Sequence, residues 1–313
     1  MKFISDDSVR AALNIDQLIR VLREAFASDI SSLQMPVRTQ LDLGGSTLLL
    51  MPCHSRTTGK AGIKILTASP ARGVKAVYVL LDATSGDVLV TLDADYLTDV
   101  RTAAASAIAT DLLARPDSTT LGVFGSGRQA VAHLTILPHV RSFKRFLVCG
   151  AAGTELGDFL KKMKKHNIAV ELVAPEICVH ESDVLCTCTT SVEPLFNGAW
   201  LRPGTHLNLV GAFQTHTREV DDETVKRSRV VVDTYEGALA EAGDILIPLR
   251  NGTFQRDHIL ADLHEIAAGK KSIRTGPDDI TLFKSVGCAL EDLVAAALAY
   301  EGIVQQIDYS SNT

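Results

Sequence analysis

The chain has 313 residues, of which 46% are hydrophobic and 22% charged, with a formal net charge of −6. That length favours two domains, and that composition belongs to a globular chain rather than a disordered one. An acidic balance, without an apolar run long enough to span a bilayer, points to neither nucleic acid nor membrane as a partner.

Met1-Lys2-Phe3-Ile4-Ser5 has no secretory-signal grammar, so the expected compartment is the cytoplasm. The six cysteines form no CxxC pair and the nine histidines no HExxH spacing, so no metal is expected and the thiols read as small hydrophobes. Asn14, with Gln17 three residues on, predicts a capped helix carrying Ile15, Leu18, Ile19, Leu22 and Phe26. Short apolar runs at 48–50, 62–66, 77–81 and 88–90 predict strands, with a hairpin turn over Asp82–Asp87. The alanine-rich stretch Arg101–Arg115 predicts a helix stopped at Pro116, which sets the expected boundary between a first domain, 1–115, and a second, 116–286.

Beyond Pro116 strand-like and helix-like segments alternate. Strands are expected at 120–124, 146–149, 169–173, 184–188, 206–210 and 229–232, with helices at 129–137 and 157–166. This is the rhythm of a doubly wound parallel sheet, an α/β fold of Rossmann type. A last helix is expected over Phe283–Tyr300, with 287–313 packing back onto the first domain.

The strand Thr120–Phe124 runs directly into Gly125-Ser126-Gly127-Arg128-Gln129-Ala130, a GxGxxA loop opening a helix. Gly125 suits the tight turn, Gly127 lets backbone approach a pyrophosphate, and Ala130 allows close helix–sheet packing. Free N–H groups at the helix start favour the phosphates. The loop therefore predicts NAD or NADP. The next strand ends Cys149-Gly150-Ala151-Ala152 without a carboxylate for the ribose 2′-hydroxyl; Glu155, Arg128 and Lys144 leave both cofactors open.

Met35-Pro36-Val37-Arg38, Leu49-Leu50-Met51-Pro52, Gly62-Ile63-Lys64, Asp99-Val100-Arg101-Thr102 and the glycine loop occur in this order along the chain. Thr187-Cys188-Thr189-Thr190-Ser191, Val232-Asp233, Glu241-Ala242-Gly243-Asp244 and Phe283-Lys284-Ser285-Val286-Gly287 follow them. The set resembles the ornithine cyclodeaminase/mu-crystallin family. The resemblance implies an α+β domain for dimerisation and substrate binding, built from the N-terminal segment and the last helix, beside the Rossmann domain. It also implies a homodimer, bound NAD(P), and a small amino acid or imine as substrate.

The resemblance assigns the substrate carboxylate to Arg38 and Arg101, whose planar guanidinium offers paired donors. Arg101, at the expected start of a helix, would add the pull of free N–H groups. Lys64, between Ile63 and Ile65, is the candidate catalytic residue, since burial would lower its pKa into the range of proton exchange. Met51 and Phe213 are expected at the substrate. Thr102, Thr189, Thr190, Ser191, Val210, Gly211, Ser285, Val286 and Gly287 join Gly125, Ser126, Gly127, Arg128 and Gln129 as expected cofactor contacts. Asp244 reads as a residue that orders a loop.

Family members that cyclise ornithine carry an aspartate in a Gly-Ala-Asp-x-Pro-Gly-Lys-like segment. Here the segment is Gly211-Ala212-Phe213-Gln214-Thr215. Phenylalanine cannot pair with an ammonium, so the reading favours an NAD(P)H-dependent reductase of amino-acid-derived imines. Ornithine cyclodeaminase and a mu-crystallin-like binding protein stand as alternatives.

Overall fold

The computed structural model describes residues 3–69, 73–150 and 153–311. Its strands in chain order are β1 Phe3–Ile4, β2 Leu33–Gln34, β3 Thr39–Asp42, β4 Thr47–Ser55, β5 Lys60–Ser69, β6 Gly73–Asp82 and β7 Val88–Asp93. They continue as β8 Thr120–Phe124, β9 Arg145–Cys149, β10 Glu171–Leu172, β11 Val184–Thr187, β12 His206–Leu209, β13 Ser228–Val232, β14 Ile259–Asp262 and β15 Ile280–Lys284. The helices are α1 Asp6–Ala12, α2 Ile15–Ala27, α3 Asp95–Leu113, α4 Arg128–Ile136, α5 Gly153–Lys165 and α6 Pro175–Glu181. After them come α7 Asp222–Arg227, α8 Tyr235–Glu241, α9 Gly243–Arg250, α10 Leu263–Ala267 and α11 Ala289–Ser311. No helix is long and apolar enough to cross a membrane among the described residues.

Two compact units divide the chain: Met1–Thr102 with Cys288–Thr313, and Ala103–Gly287. The division falls within α3, upstream of the Pro116 stop. In the first unit β1-β7-β6-β5-β4-β2 form one sheet, with β3 also on β4 and only the β1–β7 pair parallel. Alternation sorts the side chains of β4–β6 cleanly. Leu49, Met51, Cys53, Gly62, Lys64, Leu66, Ala76, Tyr78 and Leu80 are buried, while Leu50, Ile65 and Val77 stand on the other face. Helix α11 packs on β4–β6 and against α1 and α2. The Asn14 cap is present, its side chain accepting from Gln17 N at 2.9 Å. In the turn at 82–87, the Asp82 carboxylate accepts from the amides of Thr84 and Ser85.

The second unit holds a parallel sheet in the order β10-β9-β8-β11-β12-β15-β13-β14. The order reverses between β9-β8 and β8-β11, so the carboxyl ends of β8 and β11 flank a topological switch point, where such sheets bind ligands. The core beneath is apolar: Phe124, Leu147, Leu185, Leu207, Leu209, Val230, Val232 and Leu282 are buried.

Two sequence expectations fail here. The segment 280–284 is a strand between β12 and β13, and the last helix starts only at Ala289. Every residue of β15 is buried, so its apolar run lacks the alternation that marks a half-buried strand. Gly287, at φ +81°, then separates strand from helix. Helix α3 begins at Asp95, so Arg101 lies in its second turn rather than at an open N-terminus. The alanine run hid this start, because the helix opens on Asp95-Tyr96-Leu97-Thr98 with an acid in its first turn.

Candidate active site

In the first unit, the interior-facing row of the sheet carries a buried ionic cluster. Met51, Lys64 and Tyr78 are directly paired across β4, β5 and β6. Lys64 has no exposed surface and donates from Nζ to Asp292 Oδ1 at 2.9 Å. The same oxygen accepts from Arg101 Nε at 2.9 Å, while Arg101 Nη1 donates to Glu291 Oε2 at 2.6 Å. Asp292 and Glu291 lie in the first turn of α11, where the helix dipole favours a negative charge. Glu291 also accepts from Cys288 N, just ahead of the helix.

These surroundings tune the bases. Burial, reinforced by the neighbouring Arg101 charge, lowers the Lys64 pKa to about 8, against the pull of Asp292 and Glu291 in the other direction. Burial also lowers the Arg101 value, but the two carboxylates outweigh it and leave the guanidinium above its ordinary range. Burial and then Asp292 push the Cys53 thiol up to about 12 and the Tyr78 phenol well above its usual value. Cys53 and Tyr78 are therefore neutral near pH 7. Lys64, by contrast, exchanges its proton near pH 8. Met51 is 2% exposed beside it, Arg38 is half-buried between β2 and β3, and the Thr102 hydroxyl donates to Thr98 O within α3.

In the second unit, the glycine turn after β8 opens helix α4. Gly125 has φ +109°, and a Cβ there would meet the Cys188 carbonyl oxygen at 2.6 Å, so this turn after β8 admits only glycine. Around Gly127 a Cβ would meet nothing within 4 Å. Gly127 is the N-cap of α4 and offers no side-chain cap to that helix. Ala130 is fully buried, as close helix–sheet packing requires. Ser126 and Gln129 are half-buried and Arg128 is exposed. Ala151, Ala152 and the side chain of Glu155 lie outside the described residues.

The loops after β11 and β12 are pinned from below by Glu219. Its carboxylate accepts from Thr187 Oγ1 at 2.7 Å, from Thr189 N and Oγ1 at 2.8 Å each, from Gly211 N at 2.8 Å and from Ala212 N at 3.2 Å. A Cβ on Gly211 would run into the Thr189 carbonyl. Lys284, fully buried, donates to Ala212 O at 2.6 Å and pairs with Asp244 at 2.9 Å. Asp244 also accepts from Glu219 N and Val220 N, and so orders that loop. Thr190 is exposed, Ser191 and Val210 are half-buried, and Phe213 leans on the apolar core. Asp233 collects Ser285 Oγ, Val286 N and Gly287 N at 2.7–3.0 Å, which fixes the strand exit at 285–287.

Each of the two units has counterparts among known proteins. A model of the ornithine cyclodeaminase/mu-crystallin family matches residues 2–306. The chain belongs to that family. Its similarity to other members of the ornithine cyclodeaminase/mu-crystallin family runs end to end. It is 30% identical to the Delta(1)-pyrroline-2-carboxylate reductase of Bacillus cereus, over 98% of both chains. It is 33% identical to the ketimine reductase mu-crystallin of Rattus norvegicus, over 96% of both. The structure of Thermococcus litoralis Delta(1)-pyrroline-2-carboxylate reductase in complex with NADH and L-proline superposes with a TM-score of 0.94 at 34% identity, covering 98% of each chain.

Several residues that shape this family member's site escaped the sequence reading. Asp292, Glu291 and Glu219 were not singled out. Lys284 sat within a segment read as helix. A lysine inside an otherwise apolar run was the available signal, because a buried ammonium requires a carboxylate partner.

Proposed function

We propose that this chain is an NAD(P)H-dependent reductase of small imines derived from amino acids. The substrates proposed are a cyclic ketimine carboxylate such as pyrroline-2-carboxylate, or the imine of a 2-oxo acid and an amine. The carrying observation is the buried Lys64 held beside Arg101 on one carboxylate, a lysine whose proton is exchangeable near pH 8. The names of the relatives above support it. Gly125, Ser126, Gly127, Arg128 and Gln129 are proposed to hold the pyrophosphate. Thr102, Thr189, Thr190, Ser191, Val210, Gly211, Ser285, Val286 and Gly287 are proposed for the remaining cofactor contacts.

When bound, the reduced nicotinamide supplies a hydride to the imine carbon. Arg101, already anchored through Nε and Nη1, presents Nη2 to the substrate carboxylate, with Arg38 as its second clamp. Lys64 gives its Nζ proton to the imine nitrogen, which becomes the product amine, and regains a proton from solvent. Met51, buried beside Lys64, offers apolar surface to the carbon skeleton, and Phe213 is proposed as a further substrate contact. The half-exposed outer face of the first unit's sheet supports a homodimer, and six buried cysteine thiols support a reducing cytoplasmic setting.

The test is consumption of NADH or NADPH by the purified chain with pyrroline-2-carboxylate. Turnover is expected to fall as pH rises above about 8, where Lys64 loses the proton it must donate. Lys64→Met should lower kcat roughly 10²–10⁴-fold with the fold intact. No turnover with either cofactor, across cyclic imines and mixtures of 2-oxo acids with amines, would overturn the proposal.

A further inference from the structure

We infer that Asp292 is the positioning residue of the lysine: its Oδ1 holds Lys64 and Arg101 in one fixed relation, and its charge keeps the Lys64 ammonium loaded for donation. The inference rests on the assignment of Lys64 and Arg101 made above. Asp292 is itself fully buried, and its Oδ2 has no hydrogen-bond partner among the described residues. Leaving the second oxygen of a buried carboxylate without a partner keeps a desolvation cost that a pairing built for stability alone would offset at both oxygens. That geometry serves to fix the separation of the two cations, which is what a substrate joining a carboxylate to an adjacent imine nitrogen requires.

The charges acting on Lys64 are few enough to name. Helix α11 contributes Asp292 and Glu291, and α3 contributes Arg101. Across the sheet stand the Tyr78 phenol of β6 and the Cys53 thiol of β4, both neutral near pH 7. With Lys64 protonated, the cluster balances two positive against two negative charges. Neutralising Asp292 leaves a second cation beside Lys64 with Glu291 as the remaining carboxylate among the described residues of the cluster, so the lysine sheds its proton at lower pH. Asparagine at this position keeps an oxygen able to accept from both cations, so it removes the charge while sparing the shape.

The experiment follows the Lys64 side chain directly, by NMR titration of the full-length protein carrying lysine labelled at the ε-carbon. The Lys64 signal is assigned by its loss in Lys64→Arg. In the unsubstituted protein a midpoint near 8 is expected. In Asp292→Asn it should drop by about one pH unit or more, and the alkaline limb of kcat/KM should shift with it. A Lys64 midpoint unchanged or raised in Asp292→Asn overturns the inference. If Asp292→Asn does not fold, Asp292→Glu keeps the charge but moves its oxygens. That variant should retain the midpoint to within about half a unit while kcat falls at least tenfold, and an unchanged kcat overturns the inference. Failure of the reductase reading looks different: no imine is turned over by the unsubstituted protein, whereas the titration still reports on Asp292.

Discussion

A lysine ammonium without exposed surface must either find carboxylates or surrender its proton, and Lys64 sits between these outcomes. The same reasoning, applied to Phe213, separates reductase from cyclodeaminase. Cyclising ornithine requires a group that engages a second ammonium, and the half-buried Phe213, expected from the resemblance to stand in place of an aspartate, leans on apolar neighbours. The chain is therefore expected to release no ammonia from ornithine above background, with or without added NAD, in a coupled ammonia assay. Steady ammonia release with formation of proline would refute this. What made Lys64, Arg101 and Phe213 legible in the sequence was their place in short segments that resemble the family's. Asp292 was not legible, because its meaning lies in a contact 228 residues away along the chain. Glu219 likewise acquires its role from Thr187, Thr189 and Gly211, which only the fold brings to it.

At the level of elements, the β8–α4 turn was the most readable feature because backbone geometry restricts it to particular residues. Gly125 and Gly127 separate two effects that the motif fuses. An alanine at Gly125 must adopt φ near +109° and drive its methyl group into the Cys188 carbonyl. Gly125→Ala is thus expected to lose ~1–3 kcal/mol of stability, seen as a lower Tm, together with cofactor affinity. Gly127 has an ordinary φ of −76° and open space around it. Gly127→Ala should leave Tm within about 1 °C while weakening NADH binding at least tenfold in a fluorescence titration, because the methyl group would stand where backbone meets pyrophosphate. Unchanged affinity in Gly127→Ala would show that the phosphates do not bind at this loop. Strand β15 is the opposite case. Ile280-Thr281-Leu282-Phe283-Lys284 is covered on both faces, so its pattern carries no period of two, and nothing local distinguishes it from the first turn of a helix.

At the scale of the whole molecule, the first unit's sheet poses a problem of coverage. One face packs under α11, whereas the other presents Leu50, Ile65 and Val77 as a directly paired row, with Val77 37% exposed and Leu41 47% exposed nearby on β3. An apolar sheet face of this kind is costly to leave in water, and a second copy related by a two-fold axis would cover it with an identical surface. Sedimentation velocity is therefore expected to show a dimer at micromolar concentration. Ile65→Glu should place a carboxylate from each protomer within the apolar contact, where desolvation and like-charge repulsion both act against association. The variant should sediment as a monomer with an unchanged far-UV spectrum, because Ile65 points away from the face that buries Lys64. A dimer that survives Ile65→Glu would place the contact elsewhere. A wild-type monomer would mean that this face is covered by something other than a second copy of the chain.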